Sequence, residues 1–170
     1  MADWIFQSVA RLYDLPGALK EARRDDKPIA FRVRPQYEPV IGDTVYLCFG
    51  GPAKRKPGLY ARATVLTSPD TIKSEDWERR YEVAPFPVER GVWLKIQRYL
   101  DPPVARDEIY GSPALKKNLF VTRHEGTNFK LTPAEARAVE TLIAGPRPLT
   151  PQALSLNSAF PVAGPRHRLT

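Results

Sequence analysis

A capping signature in the last third of the chain restricts its fold more than any other feature. Thr132-Pro133-Ala134-Glu135 offers a threonine hydroxyl to cap a helix, a proline suited to its first position, and a glutamate to complete the reciprocal capping pair. Val139, Leu142 and Ile143 then recur on one face, and Gly145 is a natural stop. The preceding stretch runs Arg123-His124-Glu125-Gly126-Thr127-Asn128-Phe129-Lys130-Leu131. It places a Gly-Thr-Asn turn between the apolar run of residues 118–121 and the helix. A short polar loop held between rigid elements is where a binding protein concentrates specificity groups. The same residues also suit a connection that merely turns the chain.

Upstream, β-patterned segments dominate. Trp4-Ile5-Phe6-Gln7-Ser8 predicts an opening strand, and Asp14 caps a helix with Leu15, Ala18, Leu19 and Ala22 on one stripe. Ile29-Ala30-Phe31-Arg32-Val33 predicts a second strand, stopped at Arg34-Pro35. Thr44 to Phe49, almost continuously apolar, predicts a buried strand. A Gly-Pro-rich hairpin loop with the basic tip Lys54-Arg55-Lys56 leads to an antiparallel return over 59–66. Residues 67–76 read as loose polar chain, and 77–87 as extended or a short helix. Residues 92–99 alternate as a strand that Asp101-Pro102-Pro103 should end; residues 106–110 and 112–115 read as short helical turns. About six strands with a helix after the first and another at the end predict an α+β fold: a strongly bent sheet or barrel with flanking helices. Residues 1–145 are expected to form the domain, and 146–170, with five prolines and no acidic residue, an extended or disordered basic tail.

The net charge is +7; Arg147, Arg166 and Arg168 contribute +3 in the tail and leave +4 for residues 1–144. That balance is compatible with a polyanionic partner. Cys48 is the sole cysteine, no apolar run approaches a membrane span, and Met1-Ala2-Asp3-Trp4 carries no secretory pattern. A cytoplasmic location is the expectation.

Enzyme signatures are mostly missing. Two histidines and one cysteine give no zinc spacing, and there is no Gly-x-x-x-x-Gly-Lys-Ser/Thr or Gly-x-Gly-x-x-Gly. His124 beside Glu125 can serve as a base, but no nucleophile elbow accompanies it. No metal or cofactor is expected. Aromatic residues at strand ends (Phe6, Phe31, Phe49, Tyr60, Trp77 and Phe129) suit either base stacking or the core. Trp77, in a charged context, fits an exposed stacking wall or a cover on the barrel end. Thr127 and Asn128 fit base-edge reading or a self-capped turn. Lys54, Arg55, Lys56, Arg32, Arg34 and Arg123 fit phosphate contacts or a solvated face.

Taken in order, these blocks resemble the EVE domain. The similarity runs through Trp4-Ile5-Phe6-Gln7-Ser8, a helix, and Ile41-Gly42-Asp43-Thr44-Val45-Tyr46-Leu47. Gly58-Leu59-Tyr60-Ala61-Arg62-Ala63-Thr64-Val65-Leu66 is similar to the family's "G-I-Y-A-x-G-x-V" strand, and 123–132 to its "R-Q-x-x-G-T-N-F-x-L-T-x-E-E" block, especially in restriction-associated prokaryotic members. The resemblance covers roughly residues 3–145. It implies a PUA-like barrel, related to YTH and ASCH domains, that holds a modified base flipped from nucleic acid in an aromatic pocket. The implied pocket comprises Phe6, Gln7, Ser8, Ala30, Phe31, Arg32, Phe49, Trp77, Gly126, Thr127, Asn128 and Phe129. Many members carry a tryptophan where this chain has Ala30-Phe31, and Asn-Pro or Glu-Pro where it has Ser8-Val9.

The expectation is a non-catalytic reader of methylated or hydroxymethylated cytosine, or methylated adenine. DNA is favoured, in a restriction or defence setting that can involve a separate nuclease. Phe31 and Trp77 would stack, first-strand groups and Asn128 would hydrogen-bond, and the six basic residues would hold phosphates. The alternatives are an RNA reader, a small hydrolase or nucleotide-processing enzyme using His124, and an adaptor whose tail recruits a partner.

Overall fold

The computed structural model describes residues 1–50, 55–84, 89–122 and 127–146. The expectations for Lys54, Arg123, His124, Gly126 and the tail beyond Pro146 lie outside them. Among the described residues seven strands form one sheet: β1 (Asp3–Val9), β2 (Ile29–Arg32), β3 (Thr44–Gly50), β4 (Gly58–Val65), β5 (Asp70–Ile72), β6 (Glu89–Ala105) and β7 (Asn128–Leu131). Their order is β2-β6-β4-β3-β1-β7, with β5 also on β6. β1 and β3 are parallel and the other pairs antiparallel. Four helices flank the sheet: α1 (Leu15–Arg24), α2 (Arg106–Tyr110), α3 (Leu119–Thr122) and α4 (Pro133–Ala144). The architecture is the expected α+β one, a curled PUA-like half-barrel.

β1 explains why the sheet has two cores. Its side chains alternate: Trp4 and Phe6 enter a core with Leu15, Ala18 and Leu19 of α1, while Ile5 enters another with Val139 and Ile143 of α4. β3 does the same, with Val45, Leu47 and Phe49 on the first side and Tyr46 and Cys48 on the second. A strand covered on both faces reads as a continuous apolar run, as 44–49 does. Asp43, 1 % exposed, ties the start of this layer together. It accepts from the Trp4 indole Nε1 at 2.9 Å, the Ala2 N–H at 2.9 Å and the Val40 N–H at 3.0 Å.

Both long helices form where their caps indicate. Asp14 accepts from the Gly17 N–H at 3.3 Å. Thr132 and Glu135 make the reciprocal box, at 3.3 Å and 2.8 Å. β6, however, does not end at Asp101-Pro102-Pro103. Its register with β4 jumps from Ala61↔Tyr99 to Leu59↔Val104, so residues 100–103 bulge opposite Tyr60. A bulge places prolines where no ladder N–H is required, and the strand resumes beyond them. The loose stretch 67–76 contains β5, and the Asn-Phe-Lys-Leu end of the expected loop is β7.

Asn128 closes the curl. β2 and β7 are the two ends of the strand order. The Asn128 side chain bridges them: its Nδ2 donates to the Arg32 carbonyl at 3.0 Å and its Oδ1 accepts the Arg34 N–H at 3.0 Å.

Candidate functional site

The closing seam borders a cleft of about 250 Å3 between the ends of β1 and β2, the chain leading into α1, and the 74–84 segment. β1 supplies Gln7, Ser8 and Val9; β2 supplies Ala30, Phe31 and Arg32. Leu12 and Tyr13 precede α1, while Ser74, Glu78, Ala84, Glu89 and Thr127 complete the lining. Six residues expected at the pocket therefore meet here: Gln7, Ser8, Ala30, Phe31, Arg32 and Thr127.

Phe31 is set rigidly. Its ring centroid stands 5.2 Å from that of Phe6, which is fully buried beneath it. Behind β2, Gly91 lets β6 approach closely: a Cβ at 91 would lie 2.4 Å from the Phe31 carbonyl oxygen and 2.3 Å from Ile72 Cδ1. Phe31 is itself mostly core, 7 % exposed. Tyr13 is the second aromatic residue in the lining.

The cleft contains a polar atom without a partner. The Tyr13 hydroxyl is buried and has no hydrogen-bond partner among the described residues. Gln7 Oε1 is likewise unpartnered, but the Gln7 side chain alternates to the other face of β1, against Gly50. Buried polar atoms in folded proteins are nearly always paired, so the Tyr13 orphan marks a candidate ligand-facing surface. Burial, and secondarily the nearby Glu78 and Glu82 carboxylates, push the Tyr13 phenol well up, so it remains a neutral donor. Glu78 is buried under the same roof. Its Oε1 accepts the Ala30 N–H at 2.9 Å, and desolvation pushes its acid up to about 7.

The turn bearing Glu78 (a 3-10 turn, Glu78–Tyr81) is anchored to α1. Glu21, 6 % exposed, accepts from Arg80 Nη2 at 3.1 Å and from the Tyr81 hydroxyl. Lys27 Nζ lies 3.8 Å from the same carboxylate.

Other expected pocket residues lie elsewhere. Asn128 is 2 % exposed and its amide is committed at both ends to the seam. Phe129 points to the opposite core, 5.4 Å from Phe120. Phe49 packs edge-on against Tyr60 in the first core. Trp77 stands outside the cleft, its Nε1 donating to Glu75 at 3.0 Å and the Lys27 ammonium 5.1 Å from its ring. Sequence reasoning missed Tyr13 and Glu78. A tyrosine before a capped helix and a glutamate in a charged run carry no periodic or motif signal.

Around the rim, Arg32 pairs with Glu89 at 2.6 Å and Arg55 with Asp14 at 2.8 Å. The Arg34 guanidinium and the Lys56 ammonium, both exposed, have no salt-bridge partner among the described residues. Among the described residues no group of three His, Cys, Asp or Glu is arranged to hold a metal ion.

Several solved structures share this fold. The same fold occurs in human THYN1, solved in complex with 5-methylcytosine-containing DNA: 12% identity, 86% of this chain and 100% of that chain, TM-score 0.63. It recurs in the DUF55 domain of human thymocyte nuclear protein 1, at 16% identity over 84% of this chain and 98% of that chain, TM-score 0.53. A Rhodopseudomonas palustris protein shares it at 14% identity over 84% and 93%, TM-score 0.59. No protein-family model matches the sequence, and no curated protein does either.

Proposed function

We propose that this chain is a non-catalytic DNA-binding module that receives a flipped modified base, 5-methylcytosine foremost, in the cleft between β1, β2 and the Glu78 turn. The observation that carries this reading is the buried, unpartnered Tyr13 hydroxyl beside the buried Glu78 carboxyl in one mostly apolar cleft. A heterocycle has donor and acceptor groups on its edge and apolar faces, which is the complement of such a site. The fold shared with a protein solved on 5-methylcytosine-containing DNA supports the same choice of ligand. Extruding a base costs a few kcal/mol. Contact with Tyr13 and the Phe31 wall, with a hydrogen bond from the Tyr13 hydroxyl, would offset that. The methyl group adds only about 0.8 kcal/mol by burial, so selectivity requires shape and edge pairing as well. A restriction-associated setting with a separate nuclease is the context that the sequence resemblance suggests, and the single cysteine suits a cytoplasmic location.

Equilibrium titration of matched duplexes with one central cytosine, 5-methylcytosine, 5-hydroxymethylcytosine or N6-methyladenine tests the reading, with single-stranded RNA as competitor. Preference for a modified duplex, lost in Tyr13→Ala, is expected. Equal affinity for every duplex would overturn it, and stronger competition by RNA would shift the ligand to RNA.

A further inference from the structure

A reader of 5-methylcytosine faces one abundant competitor of nearly the same shape. Thymine carries the same 5-methyl group and differs only along the edge, with an oxygen in place of the N4 amino group and an N–H in place of the N3 lone pair. A dry aromatic slot cannot separate the two, because methyl and ring are common to both. Discrimination has to come from a group offering a donor and an acceptor side by side.

Glu78 is placed to be that group. It is 1 % exposed and lines the cleft with Gln7 and Tyr13. Its position is fixed by the Ala30 N–H on Oε1 and by the Glu75 main chain. The charged and titratable groups that face it are Tyr13 from the chain before α1, Glu75 and Glu82 from its own segment, and Arg32 and Glu89 across the cleft. Arg32 and Glu89 pair with each other, and among the described residues no cation is a leading influence on the Glu78 carboxyl.

Resting on the base-reader function above, we propose that Glu78 selects 5-methylcytosine against thymine by pairing, as the neutral acid, with the N3–N4 edge of the flipped base. A protonated carboxyl has one O–H donor and one acceptor oxygen. The O–H donates to cytosine N3 while the carbonyl oxygen accepts an N4 hydrogen. Against thymine both contacts clash, donor facing N3–H and acceptor facing O4. Ionised, the carboxylate would instead face the N3 lone pair of cytosine. Burial, opposed by the Ala30 N–H and assisted by Glu75, raises the Glu78 acid to about 7, so the required proton is present near neutrality and is lost above it. A bound base that requires this proton loses roughly tenfold in affinity between about pH 6 and about pH 8.

The test titrates the full chain with three otherwise identical duplexes having 5-methylcytosine, thymine or cytosine opposite one guanine, at about pH 6 and about pH 8. The thymine–guanine mismatch is easier to extrude, which biases the comparison against the inference. The expected result is a preference for 5-methylcytosine over thymine of at least roughly tenfold at the lower pH, shrinking by roughly tenfold at the higher. Glu78→Gln, whose amide presents a donor and an acceptor at every pH, should keep a preference and lose its pH dependence. Glu78→Leu should bind both bases alike while melting as a folded protein. A wild-type preference that does not change with pH overturns the inference whatever the variants do, and leaves the reader function standing. Absence of any preference for 5-methylcytosine over cytosine overturns both.

Discussion

At the scale of single residues, the cleft keeps a polar group buried without a partner among the described residues. This is the Tyr13 hydroxyl, and such a group costs roughly 1–3 kcal/mol in the free protein. Tyr13→Phe removes the hydroxyl and keeps the ring. It should therefore melt at or above the wild-type temperature while binding a 5-methylcytosine duplex several-fold more weakly. A lower melting temperature with unaltered binding would assign the hydroxyl a structural role. Glu78 makes a second prediction in the unliganded protein. Burial raises its folded-state acid to about 7 from the ordinary 4.5 of a free glutamate, so between these values the native state holds a proton that the unfolded chain has released. The stability this contributes is present below about pH 4.5 and lost as pH rises through about 7. Urea midpoints across that window should fall in the wild type relative to Glu78→Gln; parallel curves would refute the raised acid. Neither residue announces itself in the sequence. Their pairing with β1 and β2 comes from contacts bridging tens of residues, such as Ala30 N–H to Glu78.

At the scale of elements, what could be read from the chain was whatever carried a local signal. Asp14 and Thr132 cap helices because a short polar side chain at that position satisfies free N–H groups within the same turn. β1, β3 and β4 follow from apolar patterning. β7 does not, since four residues pairing with β1 at the sheet edge lack the length to show alternation. β6 runs on past two prolines because a bulge absorbs them, a register effect that depends on β4. The residues that the EVE resemblance implied on β1 and β2 border the cleft, whose third side is the 78–81 turn, hydrogen-bonded to Glu21. Glu21→Ala would remove the carboxylate that accepts from Arg80 and the Tyr81 hydroxyl and loosen the turn. The expected loss is roughly 1–3 kcal/mol of stability, together with weaker duplex binding, although Glu21 does not line the cleft. Thermal melts and titrations on one preparation check both; full affinity with reduced stability would uncouple the turn from the site.

At the scale of the whole molecule, a net charge of +7 favours DNA without saying how it is used. Two of the basic residues near the cleft, Arg32 and Arg55, are already engaged with carboxylates, so a phosphate would have to displace Glu89 or Asp14. Arg34, exposed and with its guanidinium free of such a pair among the described residues, is the readier contact. Duplex affinity should fall linearly on logarithmic axes as salt rises, and Arg34→Gln should reduce that slope by about 1 for modified and unmodified duplexes alike. An unchanged slope would place Arg34 away from the backbone path. Arg34 also has a second part in the molecule, since its N–H is one of the two main-chain groups that Asn128 holds. A sheet whose outermost strands lie apart presents two rows of free backbone groups, each able to recruit a strand from another chain. By fastening β7 to the exit of β2, one amide side chain joins the two ends of the strand order, the edges at which such recruitment would begin.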